Sequence, residues 1–221
     1  MNYKDRIENY YENGKEFDAI SFLEKFCEDN PLDLNAKFNL ALLHTNTSVY
    51  ADSHIFALEL LNEILTISHF DLKSVILKSY IEDMYIGDIK DETLVLIEEC
   101  IEKLSVSYQY YNILFLTKAF YYREKKPERY YKLLLDYIEK DPLSSFPYYL
   151  VGKYYKSLDK KDECKIAFQN AYENIKSIFK NDEGINPIDF NKFIDYFYRG
   201  VIIAESQYKS MVTEIKTNNT E

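Results

Sequence analysis

Apolar residues along the 221-residue chain recur at i, i+3, i+4 and i+7 in nearly every segment, the period of a helix with one buried face. Leu94, Ile97, Ile101 and Leu104 make one such stripe, and Phe190, Phe193, Ile194, Phe197 and Val201 make another. Strict alternation, the mark of a half-buried strand, is not sustained anywhere. The polar interruptions are short and carry turn formers: Asn13-Gly14, Asn30-Pro31, Gly87-Asp88, Asp141-Pro142 and the stretch 181–187. Asp71 and Ser145 stand where helix N-caps are expected, because a short side-chain oxygen there satisfies an orphan amide of the first turn. The pattern predicts an all-α chain. Five Gly and five Pro are too few for a hairpin-rich β fold and leave little room for phosphate-cradling loops.

The stripes also repeat. A shift of 34 residues lays Ile7 on Ala41, Tyr10 on His44, Phe115 on Tyr149, Leu116 on Leu150, Tyr121 on Tyr155 and Leu134 on Phe168. About this length is needed for two helices and their turns. The physical origin of such a period is that one helical hairpin cannot bury its own apolar face and must stack on the next.

The best-formed unit carries Tyr148, Val151, Gly152 and Tyr155 in its first helix, then Cys164, Phe168 and Ala171 in its second. The first unit has Tyr10, Gly14, Ala19, Leu23 and Pro31 at matching spacing. The second has residues 38–41, then Ala57, Leu61 and Ile64 after an enlarged loop at 45–53. The third has Tyr80, Ile81, Met84, Thr93, Ile97 and Cys100. The fourth has Tyr121, Leu134 and Pro142, with Thr117-Lys118 where a Leu-Gly pair is usual. On these residues the chain resembles the tetratricopeptide repeat family, over about 178 of its 221 residues. The resemblance implies a right-handed superhelical stack of antiparallel helix pairs, a TPR-like α-solenoid. Its five hairpins would span 1–33, 34–70, 71–107, 108–144 and 145–178. A terminal element must cover the last apolar face, so 185–212 is expected to be a capping helix with Pro187 in its first turn, and 213–221 a flexible tail.

The resemblance also implies that the first helix of each pair lines a concave groove. Carried across, the groove places include Tyr11, Phe38 and Leu42, then Tyr85, Phe115, Tyr122, Tyr149 and Lys153. Large rings give contact area with few rotors to freeze and are frequent hot spots. Some family members grip a terminal carboxylate through Lys, Asn and Arg. Here the first Asn place holds Glu8 and only Asn39 matches, which disfavours that mode.

Charge refines the expected partner. The chain has 37 acidic and 27 basic residues, a formal charge of −10 and a sequence pI near 4.9. The imbalance is all in one half: residues 1–110 hold 21 acids and 9 bases, whereas 111–221 hold 16 and 18. An acidic surface repels phosphate backbones and steers a basic protein inward. Residues 118–165 invert the balance, with 12 bases and 8 acids among several tyrosines, a pattern compatible with single-stranded nucleic acid.

Catalytic and metal signals are missing. Cys27, Cys100 and Cys164 are an odd number, far apart, and read as small packing residues. His44, His54 and His69 show no HxxxH or HExxH spacing, so neither a metal site nor a cofactor is expected. The carboxylate pairs Glu82-Asp83, Asp91-Glu92 and Glu98-Glu99 read as charge on solvated helix faces. GxSxG, Walker and GxGxxG motifs do not occur. With no leader-like apolar run and no stretch long enough to span a bilayer, the expected location is cytoplasmic.

The sequence therefore points to a non-catalytic scaffold that binds a partner protein or peptide through an aromatic groove and an acidic N-terminal half. One alternative is a small acidic inhibitor, an immunity protein neutralising a basic bacterial toxin. A further one is an RNA-binding helical-repeat module, the reading in which nucleic acid is a partner.

Overall fold

A computed structural model of the protein describes residues 2–47, 52–178 and 187–200. All regular structure among them is helical: α1 (Tyr3–Glu12), α2 (Glu16–Asp29), α3 (Leu34–Asn46), α4 (Ser53–Ile67), α5 (Leu72–Ile81), α6 (Asp91–Lys103), α7 (Ile113–Tyr122), α8 (Pro127–Lys140), α9 (Ser145–Ser157), α10 (Lys161–Ile178) and α11 (Phe190–Ile194). Two π-helical turns, Glu82–Ile86 and Asp195–Arg199, extend α5 and α11. The chain divides into two compact units, one of Met1–Tyr110 with Ile185–Phe190, the other of Tyr111–Gly184 with Asn191–Glu221.

In the first unit, helix starts follow local chemistry. Asn2 and Asp5 form a capping box on α1, the Asp33 carboxylate accepts the Ala36 amide at 2.9 Å, and the Asp71 carboxylate accepts the Ser74 amide at 2.9 Å. Turns close at Gly14 (φ +67°) and Gly87 (φ +91°), where a side chain would be strained. Ile7 of α1, Ala19, Ile20 and Leu23 of α2, and Ala36, Leu40 and Leu43 of α3 form one apolar cluster. Helix α3 is buried over the whole run 38–45. A helix covered all round must have neighbours on every side, and α3 packs against α2, α4 and α5.

Glu82 departs from expectation. Read as charge on a solvated face, it is instead 0% exposed. One carboxylate oxygen accepts the Lys90 amide at 3.0 Å, and the other accepts the Thr93 hydroxyl at 3.0 Å and faces Lys78 Nζ at 3.2 Å. The charge is tolerated because its acceptor capacity is filled and it lies at the N-terminus of α6, which lacks a cap of its own. Glu82 thereby ties α5 to α6.

The second unit packs α7 on α8, α8 on α9, and α9 on α10. α9 and α10 come close at Gly152, where an added Cβ would lie 2.5 Å from the Phe168 ring. Ser145, expected as an N-cap, is the first residue of α9, and the cap is Ser144. The Ser145 hydroxyl instead donates to the Ala171 carbonyl at 2.6 Å, a tertiary bond to α10. Thr117 occupies its apolar place fully buried, its hydroxyl donating to the Ile113 carbonyl at 2.9 Å. Asp141 Oδ2 accepts from the Tyr137 and Ser144 hydroxyls, each at 2.9 Å, and pairs with Arg199 at 3.4 Å. Burial raises the Tyr137 pKa, with the nearby Asp141 adding to it, so the phenol stays a donor.

Pro187 does not open the last helix. Residues 187–188 form a turn and α11 begins at Phe190. In the following π-helical turn the phase shifts, so Tyr198 rather than Phe197 completes the buried stripe of Phe190, Phe193 and Ile194. Val201, the rest of the expected capping helix and the expected tail lie outside the described residues. Burial pushes the Cys27 and Cys100 thiols up to about 11, in keeping with packing residues.

Two substitutions test these contacts by urea or thermal unfolding. Glu82→Ala leaves Lys78 and the Thr93 hydroxyl without their shared acceptor and is expected to cost about 3 kcal/mol. In Gly152→Ala, overpacking against Phe168 is expected to outweigh the better helix propensity of Ala, for a net loss of about 1–2 kcal/mol.

Candidate binding surface

Helices α1, α3 and α5 form one wall of the first unit. Asn39 Nδ2 donates to the Tyr3 hydroxyl at 2.9 Å, linking α3 to α1, so the one Asn at a carboxylate-clamp place is engaged within the fold. The Tyr85 hydroxyl donates to the Thr45 carbonyl at 3.1 Å, linking the π-helical turn after α5 to α3. Lys73 Nζ of α5 lies 5.8 Å from the Phe38 ring centre.

On this wall the predicted positions fare differently. Leu42 is fully buried and works as core. Phe38 is 6% exposed, because the Phe190 ring packs edge-on against it at 5.2 Å. Tyr11 is half-buried, and its phenol pKa is raised by burial and by Glu16. Tyr85 is 50% exposed yet firmly held, since its ring also stacks on His54 at 5.4 Å and 4°. Burial of its hydroxyl end raises its pKa, which keeps the donor protonated. Met84 and Ile86 flank it and are also exposed.

In the second unit, Phe115 and Tyr122 lie on α7, and Tyr149 and Lys153 on α9. Phe115 is half-buried, with Lys140 Nζ 4.8 Å from its ring centre and Tyr111 edge-on at 5.7 Å. Tyr122 is buried beneath the Arg129 guanidinium at 4.0 Å. Tyr149 packs on Phe146 and Phe168, with the exposed Lys153 5.5 Å from its ring centre. Other tyrosines of the basic stretch are covered in the same way. Lys125 Nζ sits 3.6 Å from the Tyr121 ring centre, and Tyr131 stacks on Tyr154 at 3.6 Å.

The residues that sequence reasoning passed over are Asn46 and Tyr110, and Pro187 was given a different role. Asn46 Nδ2 donates to the Pro187 carbonyl at 2.9 Å, and Tyr110 meets Phe190 edge-on at 5.1 Å. The repeat pattern has no term for a contact 141 residues apart, and the only hint was the Asn-Pro pair ahead of the last aromatic stripe.

Among the described residues no group of three or more His, Cys, Asp or Glu is arranged to hold a metal ion. The histidines have separate surroundings: His54 is stacked on Tyr85, His69 pairs with Glu99 at 2.9 Å, and His44 is buried 3.8 Å from Glu24. No helix among the described residues is long and apolar enough to cross a membrane.

No family model matches the sequence, and no curated protein matches it. Solved structures do. PilW, a type IV pilus biogenesis factor, superposes with a TM-score of 0.64 at 10% identity over 99% of this chain and 92% of its own. A tetratricopeptide repeat protein from Parabacteroides merdae gives 0.58 at 18% identity, over 86% and 70%. The chain has a tetratricopeptide-repeat fold. MamA from Desulfovibrio magneticus shares it, with a TM-score of 0.57 at 12% identity over 82% of this chain and 96% of that one. Such low identities transfer the TPR architecture and nothing of the partner.

His44 gives this wall a pH response. Burial holds its pKa below the ordinary 6.5, so below pH 6.5 the unfolded chain takes up a proton that the folded chain refuses. Its contribution therefore makes stability fall as pH drops from 6.5 toward the lowered value. Glu24 acts oppositely: burial raises its pKa, and protonation as pH falls favours the folded state. Urea unfolding of wild type and His44→Gln between pH 7.5 and 5.5 is expected to show a shallower loss of stability on acidification in the variant.

Proposed function

We propose that the protein is a non-catalytic scaffold that binds a partner protein or peptide on the inner helices of its hairpins. The observation that carries this reading is Tyr85, half-exposed beside Met84 and Ile86 while its hydroxyl and ring are both held by the fold. A large ring that is already immobilised loses little rotamer entropy on binding, which is the character of an interface anchor. The excess of acids in residues 1–110 supports a basic partner, since complementary charge speeds encounter and selects against acidic surfaces. Tyr11 and, in the second unit, Phe115, Tyr149 and Lys153 are the further contact positions. Phe38, Leu42 and Tyr122 have less support, because each is buried within the protein.

The carboxylates fit the same reading. Glu82 is engaged structurally, Asp91 and Glu92 lie in the first turn of α6, and Glu99 pairs with His69. RNA binding has weaker support, because Lys125, Arg129 and neighbouring tyrosines already cover ring faces that stacked bases would use.

Affinity capture from native cells with the wild-type chain and with Tyr85→Ala tests the scaffold. A partner retained by wild type should be lost, or bind at least about tenfold more weakly, when the anchor is removed. Equal retention by both proteins rejects the Tyr85 surface. A partner retained more tightly as salt rises rejects the charge argument.

A further inference from the structure

The first unit holds a short peptide of its own chain on helix α3, through contacts of the kind that recognise a ligand. Phe190 is buried between two aromatic rings, Phe38 at 5.2 Å and 84° and Tyr110 at 5.1 Å and 82°. Both meet it edge-on, the favoured geometry for aromatic pairs. Three residues earlier, the Pro187 carbonyl accepts a hydrogen bond from Asn46 Nδ2 at 2.9 Å. Between them Ile188 packs on the cluster of Ile7, Leu23 and Leu40. The peptide thus presents a ring, an aliphatic side chain and a main-chain carbonyl, and α3 and its neighbours provide a separate receptor for each.

Tyr110 supplies an independent observation. Its φ is +69°, in the left-handed region that bulky side chains rarely occupy, and it ends the chain segment of the first unit. Backbone held in that region persists only where surrounding contacts enforce it, and such residues concentrate at ligand clamps. Here the unusual backbone goes with a ring placed against Phe190.

We infer that residues 187–190 are a resident ligand: the first unit binds short Pro-x-x-Phe peptides at Phe38, Asn46 and Tyr110, and the chain's own copy occupies that site until a competing peptide displaces it. This deepens the scaffold reading by naming the peptide class and the device that keeps the site closed. It also accounts for a groove position, Phe38, that is buried although the repeat pattern places it on the binding wall. A tethered ligand acts at high effective concentration, so an incoming peptide meets a site whose free fraction is small.

The test uses the full chain and the fluorescein-labelled peptide Ile-Asn-Pro-Ile-Asp-Phe-Asn, which copies residues 185–191. By fluorescence anisotropy, Phe190→Ala is expected to bind the peptide at least tenfold more tightly than wild type. Adding Phe38→Ala to that variant should abolish the gain, and a peptide with Ala in place of its Phe should bind neither protein. Circular dichroism verifies that the variants are folded. If Phe190→Ala does not fold, Phe190→Leu keeps the apolar bulk without the ring and is expected to show a smaller gain, of about threefold. Equal binding by wild type and the folded variant, or no binding by either at millimolar peptide, overturns the inference. The probe is the chain's own sequence, so the outcome does not depend on finding a natural partner. Peptide capture with equal partner retention by wild type and Tyr85→Ala would count against the Tyr85 surface alone, and a partner held through Tyr85 without peptide capture would count against the resident ligand alone.

Discussion

From Phe38 to Thr45, helix α3 has no solvent face to spare. Eight consecutive residues, 38–45, are buried, among them His44 and Thr45 as well as Leu40, Leu42 and Leu43. Burial on that scale requires partners in every direction, and the arrangement of the first unit follows from meeting the requirement. α2 and α4 cover two sides, Tyr3 reaches Asn39 from α1, and Tyr85 reaches the Thr45 carbonyl from the turn after α5. The same demand explains why residues from the far end of the sequence are drawn onto this helix at Phe38 and Asn46.

Polar groups inside the protein do a second job, setting which helix ends meet. A buried carboxylate stabilises only when its oxygens are satisfied, so each one specifies its neighbours closely. Glu82 selects the start of α6 through the Lys90 amide and the Thr93 hydroxyl. Asp141 gathers Tyr137, Ser144 and Arg199 in the second unit. Apolar packing accepts small slides between helices, whereas these bonds do not. They locate the ends of the elements on which exposed rings such as Tyr85 are mounted.

The aromatic wealth of the chain divides along the same lines. With 22 Tyr and 14 Phe and no Trp, the chain has many more rings than the six groove positions that the resemblance implies. Many serve inside the fold instead: Phe120 lies beside Tyr130, Phe146 and Tyr198, and Phe168 fills the space that Gly152 leaves. Others are paired with cations along the basic stretch. Among the described residues, Tyr85 is a ring left half-exposed while its hydroxyl and face are held.

Helical class, short turns, the repeat and its characteristic small and aromatic places were all legible in the sequence, because each rests on spacing within one or two turns. Asp71 as a cap is of this kind, set by local hydrogen-bonding reach. Ser145, Glu82, Phe38 and Pro187 were not legible. Ser145 was expected as a cap and Glu82 as solvated charge, yet each found a partner on another helix. Phe38 and Pro187 each meet a residue far away in sequence, Phe190 and Asn46. Periodicity reports which face of a helix is apolar but not what comes to rest on it. That is decided only when distant segments compete for the same surface, and here a proline turn and a phenylalanine of this same chain hold it.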